Sequence, residues 1–282
     1  MYKRIIIYYL VCGMFLTSCF QGNNKKANMC ADNTLAVKHS HDNILVTDEE
    51  MEYEIGYNVR GDELFDDFLY SYINDEALRL RRTTFPLKEY LIDGGTKSIH
   101  KDKWNSDFDH MLLDYTTAIY NSEKEKNAKY DTCLVHAIVE KIDLDRETIT
   151  SYDFINDGGK WSLVAIKNSI FQDSDLSDFL FFYSKFSNNQ SYQYKSIAKS
   201  IRISMVMPGD DSQNIEGFVT REQWSTLNSD IPGGIIYNVR YGQKFHNPKQ
   251  IILEKVGLGN GMSESFYFAK IGNLWKLTGY EN

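Results

Sequence analysis

The sequence contains an internal repeat, and this repeat constrains the fold more than any other feature. An apolar strand with a central Glu-Lys pair occurs as Ile138–Ile142 and again as Ile252–Val256. Four later positions match between the copies at the same spacing and without a gap. They are Phe154, Gly158, Trp161 and Leu163 in the first copy and Phe268, Gly272, Trp275 and Leu277 in the second. A hairpin of equal length and a third strand after a glycine turn explain this spacing. The chain therefore predicts two copies of one unit.

Each copy opens with a predicted amphipathic helix. The apolar positions are Phe65, Phe68, Leu69, Tyr72 and Ile73 in the first copy and Leu176, Phe179, Leu180 and Tyr183 in the second. Such spacing places one apolar stripe along a helix. Shorter matches pair Trp104 with Trp224 and Ala118–Asn121 with Ile235–Asn238, the latter two as strand starts. Thr220 and Gln223 predict a capping box before Trp224.

This order of elements predicts an α+β fold, in which helices pack on a curved antiparallel sheet in each copy. A family resemblance rests on Phe68–Tyr70, Thr83–Leu87, Glu216–Trp224 and Tyr241–Gln243. The chain resembles the nuclear transport factor 2-like (NTF2-like), or cystatin-like, cone, and in particular an uncharacterised family of bacterial lipoproteins with two such domains in tandem. The resemblance covers most of residues 55–282. Because its motifs are structural, it implies a fold and no activity.

The N-terminus has the pattern of a lipoprotein signal peptide. Lys3 and Arg4 precede an apolar run from Ile5 to Leu16, and Leu16–Cys19 forms a lipobox. The run is shorter than the roughly 20 residues of a spanning helix. We therefore predict a signal peptide at 1–18, lipidation of Cys19, a flexible polar tether at 19–50, and cone domains at 51–170 and 171–282.

The predicted location is the bacterial cell envelope, with the lipid in the outer membrane and the body facing the periplasm. Phe20 stands where an inner-membrane retention Asp would be, and no acidic run follows that would indicate export to the surface. The predicted partners are the membrane, through the lipid on Cys19, and an unknown protein or small-molecule ligand. With a net charge of −8 and no basic stripe, nucleic acid is not expected as a partner.

Two of the four cysteines are assigned by this processing. Cys12 leaves with the signal peptide and Cys19 carries the lipid, so only Cys30 and Cys133 remain. Cys133 lies in a strand-like segment and is interpreted as a small core residue, because free cysteine is among the most buried residue types. A bridge between tail and core has no support from the sequence.

No specific catalytic motif is present, and no cofactor or metal is predicted. Gly257–Gly261 resembles a dinucleotide loop, but a strand follows it instead of a helix, which indicates a hairpin turn. Asp143, Asp145 and Glu147 alternate like calcium ligands but lack the glycine and the full set of oxygens. The four tryptophans recur in both copies, which favours core packing over ligand stacking.

The weak candidates for ligand binding are Glu140, Glu254 and His136. Strand alternation places His136 and Glu140 on one face among apolar residues, with Glu254 at the matching position of the second copy. A carboxylate in a cone cavity could act as acid or base. The favoured alternative is a cross-strand pair with Lys or Arg at an exposed sheet edge.

Two main hypotheses follow. The first is a non-catalytic, lipid-anchored module that binds a ligand or a protein. The second is an enzyme that uses a cavity carboxylate, Glu140 or Glu254. A third, assembly into a larger envelope complex, would require a wide exposed apolar patch. The missing set of acid, base and orienting group favours binding.

Overall fold

The computed structural model describes residues 64–104, 115–207, 210–226, 230–258 and 261–282. The predicted signal peptide, Cys19 and the tether lie outside these residues. In the described ranges no helix is both long and apolar enough to cross a membrane. We call residues 64–170 the first half and residues 171–282 the second half. The predicted domain boundary between them remains a prediction.

The described residues form helices and strands in two similar series. The helices are α1 (Phe65–Asn74), α2 (Glu76–Arg81), α3 (Ser177–Asn188), α4 (Gln190–Lys195) and α5 (Arg221–Trp224), with 3-10 helices at Lys101–Lys103, Glu123–Tyr130 and Phe171–Asp173. The strands are β1 (Thr83–Tyr90), β2 (Thr96–Ile99), β3 (Tyr115–Tyr120), β4 (His136–Asp143), β5 (Thr148–Asp157), β6 (Lys160–Ile170), β7 (Ile197–Met207), β8 (Asp210–Thr220), β9 (Ile235–Arg240), β10 (Gln250–Gly257), β11 (Ser263–Ile271) and β12 (Leu274–Glu281).

The structure confirms both predicted amphipathic helices. In α1 the buried residues are the five predicted ones, and in α3 the stripe is buried and extended by Phe182 and Phe186. The capping box is also confirmed: Gln223 N donates to Thr220 Oγ1 at 3.3 Å, and Thr220 N donates to Gln223 Oε1 at 2.8 Å. Local periodicity and capping chemistry determine these elements.

The strands form one sheet in the order β2-β1-β6-β5-β4-β9-β3-β10-β11-β12-β7-β8. From one end the sheet runs β2-β1-β6-β5-β4, and from the other end it runs β8-β7-β12-β11-β10, so each first-half strand has a second-half counterpart numbered six higher. The correspondence fails only at the two central strands. There β9 of the second half pairs with β4, and β3 of the first half pairs with β10. We call this the strand exchange. Each half therefore completes its sheet with a strand from the other half.

The predicted antiparallel sheet is wrong in part, because the sheet is mixed. Among the described strands, β1 pairs with β6, β7 with β12, and β3 with β9 in parallel. A hairpin turn fixes only the relative direction of strands that are consecutive in sequence. The partners in these parallel pairs are distant in sequence, so the turn signals carried no information about them.

The register also corrects one part of the repeat. Ala118 lies opposite Glu254, and Asn238 lies opposite Glu140. If the two glutamates occupy matching positions, Ala118 corresponds to Asn238 and not to Ile235. The short sequence match was therefore out of phase by three residues. Both segments are runs of strand-forming residues, in which a shifted match looks as good as the true one.

Two hydrophobic clusters hold the sheet, one beneath α1 and one beneath α3. The α1 cluster includes Val239 and Ile252 from the second half, and the α3 cluster includes Ile119 and Ile142 from the first. Each buried side chain of this size contributes roughly 1.5–3 kcal/mol. Because of the strand exchange, the cluster beneath each helix contains side chains from both halves.

The interpretation of Cys133 as a free core residue is wrong. Cys133 is half-buried in the turn before β4, where its N–H donates to Asp131 Oδ1 at 2.9 Å, and it is disulfide-bonded. The described residues contain no other cysteine, so its partner lies outside them. The strand starts only at His136, which leaves Cys133 near the surface.

Candidate functional site

The two candidate glutamates lie in the interior of the sheet and not at its edge. Glu140 on β4 is 5% exposed, and Glu254 on β10 is 4% exposed. Both are paired with basic side chains: Glu140 pairs with Arg240 on a neighbouring strand, as the favoured alternative expected, whereas Glu254 pairs with Lys129 on a 3-10 helix. The expected exposed position is wrong, because β4 lies between β5 and β9 and β10 lies between β3 and β11.

Glu140 belongs to a network with residues of the second half. Its Oε2 accepts from Asn238 Nδ2 at 2.8 Å, and its Oε1 accepts from Arg240 Nη1 at 3.2 Å. Arg240 also donates to both carboxylate oxygens of Asp175, at 3.1 and 2.8 Å. Burial raises the pKa of Glu140, and the Arg240 charge offsets only part of that effect. One guanidinium therefore serves two carboxylates.

Glu254 has a different set of partners. Lys129, from the 3-10 helix Glu123–Tyr130, donates to both of its oxygens at 3.1 and 3.2 Å, and Ser263 Oγ donates to Oε1 at 3.0 Å. Nearby, Tyr241 OH donates to Asp66 Oδ1 at 2.6 Å. Burial raises the pKa of Asp66, and the Lys129 charge opposes this effect. These groups satisfy one another inside the protein.

His136 is not brought to either glutamate. Its side chain is about half exposed at the start of β4, and its Nε2 lies 3.3 Å from Asp153 Oδ1 on β5. Four residues along a strand separate it from Glu140 by about 13 Å. The structure therefore contains no acid and base pair made from these three residues.

A cavity of about 490 Å³ lies elsewhere, between β1, β2, β5 and β6. We call it the first-half cavity. Its lining residues are Glu89, Lys97, Ser98, Ile99, Lys103, Trp104, Thr150, Tyr152, Ile166 and Asn168. Tyr152 and Ile166 belong to the α1 cluster, so the cavity opens at one end of that core. Its volume is in the range of small-molecule sites.

A row of polar side chains crosses this cavity on four strands. Thr150 Oγ1 donates to Asn168 Oδ1 at 2.9 Å, and Asn168 Nδ2 donates to Glu89 Oε1 at 3.1 Å. From β2, Lys97 Nζ donates to Glu89 Oε2 at 3.2 Å. The Glu89 side chain is 19% exposed. The row is fixed by its own hydrogen bonds and still faces the cavity.

Trp104 forms part of the apolar wall. Its ring packs edge-on against Phe85 at a centroid distance of 6.4 Å, and its shielded indole N–H has no hydrogen-bond partner among the described residues. The prediction of core packing holds only in part for Trp104, which packs against the α1 cluster but also borders the cavity. Trp161, Trp224 and Trp275 are buried, whereas Trp104 is half-buried and lines the cavity.

In the second half, large side chains occupy the comparable position. Ile166 lies opposite Tyr152 between β5 and β6, and Tyr280 lies opposite Phe266 between β11 and β12. The Trp224 ring packs on Tyr280 at 5.3 Å, as does the Phe266 ring. Tyr280 OH donates to Glu264 Oε2 at 3.3 Å, and burial with this carboxylate raises the pKa of Tyr280 to about 12.

A second cavity of about 480 Å³ continues the first. The two share Thr150 and Asn168, and the second is also lined by Leu91, Ile92 and Asp93. Together they form an elongated groove with the polar row at its middle. The concave surface available to a ligand is therefore longer than either cavity alone.

Sequence reasoning did not find Glu89, Thr150 or Asn168. A signal was present, because each continues an inward-facing row of strand residues: Glu89 follows Leu87, Asn168 follows Ile166, and Thr150 precedes Tyr152. A polar residue at the end of an apolar row indicates the mouth of a core. The pairing that joins three such row ends could not be read from the sequence.

Comparisons with known proteins agree with this architecture. The family model described as Domain of unknown function (DUF4348) matches residues 45–282. A crystal structure of an NTF2-like protein from Bacteroides fragilis is similar, with a TM-score of 0.72 and 28% sequence identity, covering 79% of this chain and 97% of that one. No curated protein matches the chain. The α+β NTF2-like fold expected from the sequence is thereby confirmed.

Proposed function

Because the chain belongs to the family described as Domain of unknown function (DUF4348), we propose its role from its geometry. The protein is a lipid-anchored component of the cell envelope that binds a small ligand in the first-half cavity without catalysing a reaction. We further propose that its halves are duplicated copies of one NTF2-like cone that have exchanged their third strands.

One observation carries the binding proposal: the first half has a cavity where the second half has packed rings. Ile166 leaves open the space that Tyr280 fills beneath Trp224. Protein interiors are close-packed, so a cavity of this size bordered by a fixed polar row is the kind of feature that ligand sites show. The symmetric order of strands supports duplication, and the difference between the halves supports specialisation of one of them.

The enzyme hypothesis has less support. Glu140 and Glu254 are each held by a basic partner, and neither lines the first-half cavity. A general acid or base must come within about 3 Å of the proton it transfers. A substrate could reach these carboxylates only after the surrounding sheet had opened.

Filling the cavity tests the binding role. We expect the full chain, purified gently from its native envelope, to retain a small-molecule adduct in native mass spectrometry. Ile166→Tyr, which introduces the ring found in the second half, should abolish the adduct while the unfolding temperature stays within a few degrees. Glu216→Gln, on β8 at the far end of the same sheet and outside the cavity, is the control. An adduct that persists in Ile166→Tyr would refute the proposed site.

The lipid anchor is tested separately. We expect metabolic labelling with a fatty acid to label the wild-type chain and to leave Cys19→Ala unlabelled. If Cys12 is removed and Cys19 carries lipid, Cys30 is the remaining partner for Cys133, and non-reducing peptide mapping should recover that linked pair. Equal labelling of the wild-type chain and Cys19→Ala would refute lipidation at this residue.

A further inference from the structure

We propose that the ligand of the first-half cavity is a neutral oligosaccharide of two or more rings. This inference rests on the proposed function and names the chemical class that the site selects. It follows from three properties of the groove. Some of its hydrogen-bond acceptors are free, its positive and negative side chains balance, and its apolar wall is long enough for more than one ring.

Apart from the Lys97 ammonium, the polar row offers mainly acceptors. Asn168 Nδ2 uses both of its N–H groups, on Glu89 Oε1 and on the Tyr90 carbonyl at 3.3 Å. A carboxylate has about four lone-pair positions, and the contacts from Asn168 and Lys97 leave part of this capacity free. Thr150 Oγ1 also retains its lone pairs. A ligand that matches this row must bring several donors, as hydroxyl groups do.

The charge along the groove is balanced, because two lysines, Lys97 and Lys103, and two acids, Glu89 and Asp93, line it. Lys97 Nζ lies 3.2 Å from Glu89 Oε2, and Lys103 Nζ lies 4.0 Å from Asp102 Oδ2, so each ammonium has a carboxylate beside it. An anionic ligand would compete with Glu89, and a cationic ligand would compete with Lys97. Because neither sign of charge gains a new partner without losing an existing one, a neutral ligand is favoured.

The remaining walls are apolar and extended. Trp104, Tyr152, Ile99 and Ile166 give aromatic and aliphatic surface beside the polar row. A sugar ring has hydroxyl groups at its rim and C–H groups on its faces, which suits a polar row next to an aromatic wall. The second cavity continues past Thr150 and Asn168, so a second ring has room.

The test uses five neutral trisaccharides as probes: maltotriose, cellotriose, xylotriose, mannotriose and triacetylchitotriose. Binding to the detergent-solubilised full chain is measured by isothermal titration calorimetry. We expect at least one probe to bind, and Glu89→Gln to weaken it about 5- to 10-fold, because a hydrogen bond to a charged acceptor is stronger than one to an amide. Trigalacturonate, which is anionic, should bind more weakly than the neutral probes.

Matched variants separate binding from folding. Glu216→Gln removes a carboxylate that pairs with Arg202 at 3.6 Å on β7 and β8, far along the sheet, and should leave affinity unchanged. Thr150→Val is a second cavity variant that should also weaken binding. It replaces Glu89→Gln as the test if Glu89→Gln does not fold. Equal losses in Glu216→Gln and Glu89→Gln would overturn the proposal, as would the failure of all five probes. A native adduct that is not a saccharide, but is lost in Ile166→Tyr, would overturn the ligand class and leave the binding role intact.

Discussion

The two halves have similar elements but differ in how the space beside one tryptophan is filled. That tryptophan stands at the end of a short helix and is Trp104 in the first half and Trp224 in the second. In the second half, Trp224 and Phe266 pack against Tyr280, and the cavity that borders Tyr280 holds only about 180 Å³. In the first half, Trp104 faces a cavity because Ile166 occupies the corresponding place between the strands. The same framework therefore supports either a filled core or an open site, and one side chain makes much of the difference.

The largest effect should come from opening the closed half. Tyr280→Ile removes a ring that is 7% exposed and leaves a void, so we expect a loss of about 2–3 kcal/mol of unfolding free energy, measured by urea denaturation. Ile166→Tyr, the reverse change in the first half, should stay within about 1 kcal/mol because its ring enters existing space. Equal costs for the two changes would show that the halves do not differ as described.

A smaller effect should come from the buried carboxylates. Burial raises the pKa of Glu140 above its value of 4.5 in the unfolded chain, so the folded state binds protons more tightly. Folding stability should therefore fall as pH rises from about 4.5 through the higher folded pKa. In Glu140→Gln we expect a shallower fall, with the remaining slope due in part to Asp66, whose pKa is also raised. Urea denaturation at several pH values measures this, and an unchanged slope would contradict it.

Local features of the fold were predictable, and long-range features were not. The stripes of α1 and α3, the capping box at Thr220 and the turn at Gly158 follow from residues within a few positions of one another. The strand exchange depends on β4 selecting β9 over β3, and both candidates are short apolar strands. They differ at Asn238 and Arg240 of β9, which bond to Glu140, but these polar residues do not by themselves reveal a partner strand about 100 residues away, because pairing is decided by packing across the whole sheet.

The candidate site was missed for a related reason. Glu140 and Glu254 are recognisable in the sequence as charges in apolar strands. Their partners Arg240 and Lys129 are not, because they lie about 100 residues or more away in the sequence. Glu89, Thr150 and Asn168 are ordinary residues until the strands bring them into one row. The disulfide of Cys133 likewise depends on a partner that its neighbours in sequence do not indicate.

The strand exchange has a consequence for how the chain is made. As the polypeptide leaves the ribosome, β4 emerges long before β9, its neighbour in the finished sheet, and β3 must wait for β10. Until about residue 257 has appeared, the first half has exposed strand edges that other chains can pair with. The first half can therefore complete its sheet only after most of the chain has been synthesised.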